Sequence, residues 1–211
     1  MAKLNILQLR KAIGREEFDH TLLSSALSSY LAVDQKINEL LKSGTIDRVK
    51  KGLYVFGHEA RQAPLCKESL ANLIYGPSCI SMEYALSFHG LIPERVETIT
   101  CVTPKRDKEF NTPIGRFTYR YLNLAKYPHG IEQHWIDRLH PILIASPEKA
   151  LCDYVVLNDV PEFTNSSSAK AFLLQDLRID HENWVRFDIK KILRLNTLYK
   201  SHNIARILEI L

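Results

Sequence analysis

A helix that stops at a glycine and passes at once into a basic-tipped hairpin leaves few folds open to the first quarter of this chain. Residues 33–43 place Val33, Ile37, Leu40 and Leu41 at the i, i+4, i+7, i+8 spacing of a single helical face. Gly44 ends the run, as befits a residue that enters the left-handed region at no steric cost. Residues 45–48 and 53–56 are then rich in β-branched and aromatic side chains, with Lys50, Lys51 and Gly52 in the turn between them. Upstream, Leu4, Leu7, Leu9 and Ile13 predict a first helix ending near Gly14, and Leu22, Leu23 and Ala26 predict a second over 19–27. Two helices, a polar break, a third helix and a hairpin follow the order of a winged helix-turn-helix. In that arrangement the third helix fills the DNA major groove and the hairpin meets flanking phosphates.

If the apolar set faces inward, Gln35, Asn38, Glu39 and Lys42 fall on the opposite side of the third helix. Gln and Asn amides pair bidentately with adenine, and Lys42 suits a phosphate or a guanine edge. Ser28 and Ser29, in the polar break, are the N-cap candidates, with hydroxyls and amides that hold a backbone phosphate at the helix start. Arg48, Lys50 and Lys51 belong to the wing. Residues 1–57 carry nine basic against six acidic side chains, a modest excess. A winged helix used as a protein-interaction module would leave Gln35 and Asn38 simply solvated. The clustered wing cations and the uncharged amides favour DNA. A single domain of this kind binds weakly, so a homodimer, cooperative binding or a second basic surface is expected.

The polar stretch 58–64 ends in Pro64 and reads as a linker between a domain at 1–57 and another at 65–211, each with its own apolar set. Past it, helices are predicted over 68–74 and 81–89, β-rich runs over 96–103 and 116–122, and a short strand over 143–145. Ser146-Pro147-Glu148 is a strong helix start: a hydroxyl cap, Pro at the first position and an acid in the first turn. Two amphipathic helices hinged near Ser201 close the chain. The expected fold class is α+β, a winged helix-turn-helix followed by a mixed α/β domain. Cys66, Cys79, Cys101 and Cys152 lie far apart without a C-x-x-C pair, which reads as reduced thiols of a cytoplasmic protein and neither a disulfide frame nor a zinc site. No run is apolar enough for a membrane span, and the start of the chain lacks the features of a leader.

No cofactor, metal or catalytic residue is assigned. His129, His134 and His140 are spaced too loosely for a zinc helix, and no phosphate-cradling loop or nucleophile elbow is present. Glu148, Lys149 and Asp153 resemble a nuclease carboxylate–lysine set, but Glu148 in a first turn already serves the helix dipole, so a DNA-directed nuclease is the least favoured reading. Lys105, Arg106 and Lys108 stand out differently. Residues 95–126 carry seven basic against three acidic side chains, which reads either as a solvated loop or as a second patch for nucleic acid or an acidic partner.

Three stretches carry a resemblance to a known family: CISMEYALSFHGLIPE from Cys79 to Glu94, ITCVTPKRDKEFNTPIGRFTYRYL from Ile99 to Leu122, and ASPEKALCDYVVL from Ala145 to Leu157. In this order, after a winged helix, they resemble the AbiEi antitoxins of bacterial abortive-infection toxin–antitoxin modules. The resemblance covers nearly the whole chain. It implies a transcriptional autorepressor that binds repeats upstream of its own operon, with a C-terminal domain that counters a nucleotidyltransferase toxin encoded beside it. A stand-alone regulator with no toxin partner is the alternative within that reading. The sparse charge on the reading helix departs from the pattern and leaves the operator sequence open.

Overall fold

The computed structural model describes residues 5–211; Leu4, named in the first predicted helix, lies outside them. The Asn5 side chain accepts the Leu7 N–H at 2.9 Å and opens α1 (Ile6–Ile13). β1 (Glu17–Asp19) follows, and Asp19 caps α2 (His20–Ala26) by accepting the Leu22 N–H at 2.8 Å. α3 (Val33–Lys42) runs to Gly44, whose φ of 67° turns the chain into β2 (Ile46–Lys50) and β3 (Leu53–Phe56). The chain returns tightly past that helix end: a Cβ on Gly57 would lie 1.9 Å from the Gly44 carbonyl oxygen, so no side chain fits there. The three strands pair antiparallel in the order β1-β3-β2.

The rest of the chain forms α4 (Lys67–Ile74), β4 (Cys79–Ile80), α5 (Met82–Phe88), β5 (Ile99–Thr103), β6 (Lys108–Thr112), β7 (Gly115–Tyr121), β8 (Ile131–Trp135) and β9 (Pro141–Ala145). α6 (Pro147–Leu157), α7 (Ser166–Ala171), α8 (Ile189–Tyr199) and α9 (His202–Leu208) complete it, with a π-helical turn at Phe172–Asp176 and a 3₁₀ turn at His181–Arg186 between α7 and α8. One mixed sheet has the order β6-β7-β5-β4-β9-β8, parallel at β5–β7 and β4–β9 and antiparallel elsewhere. The Ser146 hydroxyl caps α6 at the Lys149 N–H, 3.3 Å away, with Pro147 in the first turn as its sequence predicts. The fold is α+β. Among the described residues no helix is long and apolar enough to cross a membrane.

Two apolar cores share one strand. Leu9, Ile13, Phe18, Leu23, Leu27, Ile37, Leu40 and Ile46 build the smaller core, which also takes Tyr54 and Phe56 from β3. The alternate β3 residues, Leu53 and Val55, join Val49 in the larger core beside Leu70, Ala71 and Ile74 of α4. All four β3 residues are buried, so the strand is covered on both faces. The expectation of two independent apolar sets therefore fails at β3, because a four-residue apolar strand does not reveal whether one or both faces are covered.

Adjacent acids at β1 pin the segment that reads as a linker. Glu16 takes a salt bridge from Arg10 at 2.5 Å and accepts the Gln62 and Ala63 N–H groups, each at 3.1 Å. Glu17, 2% exposed, accepts the Cys66 N–H at 2.8 Å and holds His140 Nε2 at 3.0 Å. His140 Nδ1 lies 2.7 Å from Asp137, so the imidazole is bound between two carboxylates. His140 lies in the loop just before β9 and is buried there. Burial disfavours its charge, but the Asp137 and Glu17 carboxylates outweigh that and raise its pKa above the ordinary value. The stabilisation is then complete below the unfolded pKa, near 6.5, and is lost as pH rises through the raised folded value. Thermal melts across that window should show stability falling with rising pH. His140→Ala should flatten the dependence, and an unchanged slope in that variant would remove His140 as its cause.

Candidate nucleic-acid interface

Helix α3 buries Ile37 and Leu40 and exposes Gln35, Asn38, Glu39 and Lys42, as helical geometry requires. Lys36 pairs with Glu39 at 2.8 Å, which offsets one of the two acids exposed on α3, the other being Asp34, and two amides and Lys42 are presented to solvent beside them. The start of α3 differs from expectation. Its N-cap is Ala32 and no side chain caps it, while Ser28 and Ser29 sit exposed in the turn that follows α2. Leu27, fully buried, anchors that turn, and its carbonyl accepts the Tyr30 N–H, which displaces the helix start to Val33. Asp34 occupies the first turn of α3, 3.7 Å from His20, and opposes an anion at that helix end.

The β2–β3 hairpin divides its cations. Arg48 and Lys51 are exposed and, with His20, Gly52 and Tyr54, line a cleft of about 550 Å³. The Arg48 guanidinium lies 5.8 Å from the Tyr54 ring centre, which orients it. Sequence spacing gives no hint of His20 or Tyr54, because the cleft joins the start of α2 to the hairpin. Lys50 is not part of this face. A β-bulge between Arg48 and Lys50 re-aims the strand, sends Val49 into the larger core and turns the Lys50 ammonium onto the Ile74 carbonyl at 2.6 Å. Burial, with Lys105 and Lys108 nearby, pushes the Lys50 pKa down.

The second basic segment meets Lys50 at the C-terminal end of α4. Lys105 donates to the Gly76 carbonyl at 2.5 Å, and the Lys105 and Lys108 ammoniums lie 5.3 Å and 5.6 Å from the centre of the Tyr75 ring. The carbonyl-rich end of the helix and the aromatic face offset charges that no nearby acid in the sequence balances. Asp107 and Glu109 turn instead to β7, where they pair with Arg120 at 3.4 Å and Arg116 at 2.9 Å. Arg106 stays exposed, its carbonyl accepting the Tyr75 hydroxyl at 3.4 Å. Lys105, Arg106 and Lys108 thus form an ordered basic rim at the entry to β6, next to the base of the β2–β3 hairpin.

The acidic and basic residues at the start of α6 face different ways. Glu148 accepts the Asp188 N–H at 3.0 Å ahead of α8, and its second oxygen lies 3.9 Å from the Lys191 ammonium. Lys149 and Asp153 are wholly buried. The Lys149 ammonium lies 3.2 Å from Asp153 and 3.2 Å from the Tyr199 hydroxyl, and Asp153 also accepts the Ser81 hydroxyl at 2.6 Å and the Tyr199 hydroxyl. Gly130 closes the lid on this network: a Cβ there would meet the Lys149 Cβ at 2.9 Å. The trio does not converge on a common solvent-facing point. All four cysteines are free and buried, and burial raises the Cys66 thiol to about 12. Comparison with models of protein families and with characterised proteins finds no match to this sequence.

Proposed function

We propose that this protein is a DNA-binding transcriptional regulator that represses its own operon and serves as the antitoxin of a toxin–antitoxin module. The observation that carries the DNA half is the exposed face of α3, where Gln35, Asn38 and Lys42 stand beside a wing that presents Arg48 and Lys51. The order helix–strand–helix–helix–strand–strand, with the hairpin following α3, supports reading this unit as a winged helix-turn-helix. Amides read base edges and the wing cations meet phosphates, while the basic rim of Lys105, Arg106 and Lys108 offers a second positive patch at the base of the hairpin. The antitoxin half rests on the resemblance of the three sequence stretches to AbiEi proteins, and its partner is a nucleotidyltransferase toxin encoded next door.

An electrophoretic shift assay with the repeats upstream of the operon tests the DNA reading. Arg48→Ala with Lys51→Ala should weaken binding to all sequences and flatten the slope of log K against log salt by about 2. Gln35→Ala should instead reduce discrimination between operator and random DNA, by about 1–3 kcal/mol. Equal affinity of the parent for operator and random DNA would sink the autorepressor reading. A second reading has one observation in its favour: Leu31, fully exposed in the turn before α3, suits a protein-binding surface. Loss of toxin neutralisation in Leu31→Asp with DNA binding intact would favour it. Co-expression with the neighbouring gene tests the antitoxin role directly.

A further inference from the structure

Strand β8 ends the larger sheet, and its outer edge is open. Ile136 N–H donates to His140 O and Ser146 N–H to Gly130 O, which fixes the alternation of the β8–β9 ladder. Glu132 and His134 therefore turn their backbone groups toward β9, and Ile131, Gln133 and Trp135 turn theirs outward. Among the described residues no group pairs with those three outward N–H and C=O sets. The opposite edge strand, β6, carries Lys108 and Glu109, charges of the kind that guard a sheet edge. β8 has no Lys, Pro or bulge; its Glu132 and His134 lie 3.3 Å apart within the strand, with the Lys191 ammonium 3.5 Å from Glu132, and its Trp135 is 60% exposed.

We infer that β8 is a self-association surface whose occupant is the β8 strand of a second copy of this chain. The argument is its sequence, Ile131-Glu132-Gln133-His134-Trp135, which is complementary to itself about Gln133. Run antiparallel against its copy, Gln133 faces Gln133, Ile131 faces Trp135, and the Glu132 carboxylate faces the His134 imidazole. The outward-facing residues fall at the hydrogen-bonded pairs, giving about six backbone hydrogen bonds, while Glu132 and His134 fall at the closer non-hydrogen-bonded pairs, where side chains interact most. Each Trp135 is covered by an Ile131, and the acid and base meet twice. A shift of one residue in register would set Gln133 against Glu132 and lose both complementary pairs. The two-fold axis closes the assembly at two copies. This inference stands apart from the DNA reading, since it concerns the protein alone.

The test uses the full chain without DNA. Sedimentation equilibrium should show reversible dimerisation. His134→Glu places like charges opposite at both cross-strand contacts and should weaken association about tenfold. Adding Glu132→Lys to that variant restores opposite charges and should restore the dimer. Because the four native cysteines are buried, Gln133→Cys supplies one reactive thiol on the axis, and mild oxidation should give a covalent dimer. Asn111→Cys, on the far edge strand β6, serves as the control. A single-chain mass at every concentration, together with no faster cross-linking at 133 than at 111, overturns the proposal. So does a dimer whose strength ignores both charge variants.

Discussion

Replacing Lys149 with Met is expected to lower the free energy of unfolding by about 3–5 kcal/mol. The ammonium is wholly buried and, among the described residues, is the only cation in contact with Asp153, which otherwise has two hydroxyl donors, Ser81 and Tyr199. Met fills a similar volume, so the loss comes from stranding a carboxylate in a low-dielectric interior and not from a cavity. The network also ties three elements together, since Ser81 precedes α5, Lys149 and Asp153 lie on α6, and Tyr199 ends α8. Urea unfolding with an unchanged m-value measures the effect. Adding Asp153→Leu should recover part of it, because a missing pair is less harmful than half of one. A single-variant loss below about 1 kcal/mol would mean that Asp153 does not need its cation.

The helices were the legible part of the fold. Gly14 and Gly44 close helices where their positions predict, and Ser146-Pro147 opens α6, because caps and stop signals are local chemistry that needs no tertiary partner. The strands were less so. β1 and β4 have three and two residues, too few to show an alternation, and β6 reads Lys-Glu-Phe-Asn-Thr, a polar edge with no apolar stripe. β8 was hidden as well, since Gln133 breaks the row that Ile131 and Trp135 would otherwise mark. At the candidate interface, the amide face of α3 followed from periodicity alone. The wing did not. Nothing in Arg48-Val49-Lys50-Lys51 marks the bulge that sends one lysine inward and leaves the next in solvent. Lys50 is drawn to the end of α4, some two dozen residues away in sequence, and that attraction is tertiary.

That inward turn makes the chain hard to divide. A fragment of residues 64–211 should fail to hold its native structure. It would lose Val49, Leu53 and Val55 from the larger core, side chains that stabilise by about 1.5–3 kcal/mol each when buried. The sum, roughly 5–9 kcal/mol, is comparable to the whole stability of a typical domain, about 5–15 kcal/mol. The fragment would also leave His140 without Glu17 and the Cys66 amide without its acceptor. Circular dichroism melts and limited proteolysis of the fragment check this. A cooperative transition within a few degrees of the full chain would show that the shared strand contributes little. If the fragment does collapse, its failure to neutralise a toxin says nothing about where the proposed antitoxin activity resides. The full chain carrying Arg48→Ala and Lys51→Ala then becomes the informative variant, because both side chains are exposed on the β2–β3 hairpin and neither enters a core. Toxin neutralisation that persists in this variant after operator binding is lost would separate the two proposed activities in a protein that still folds.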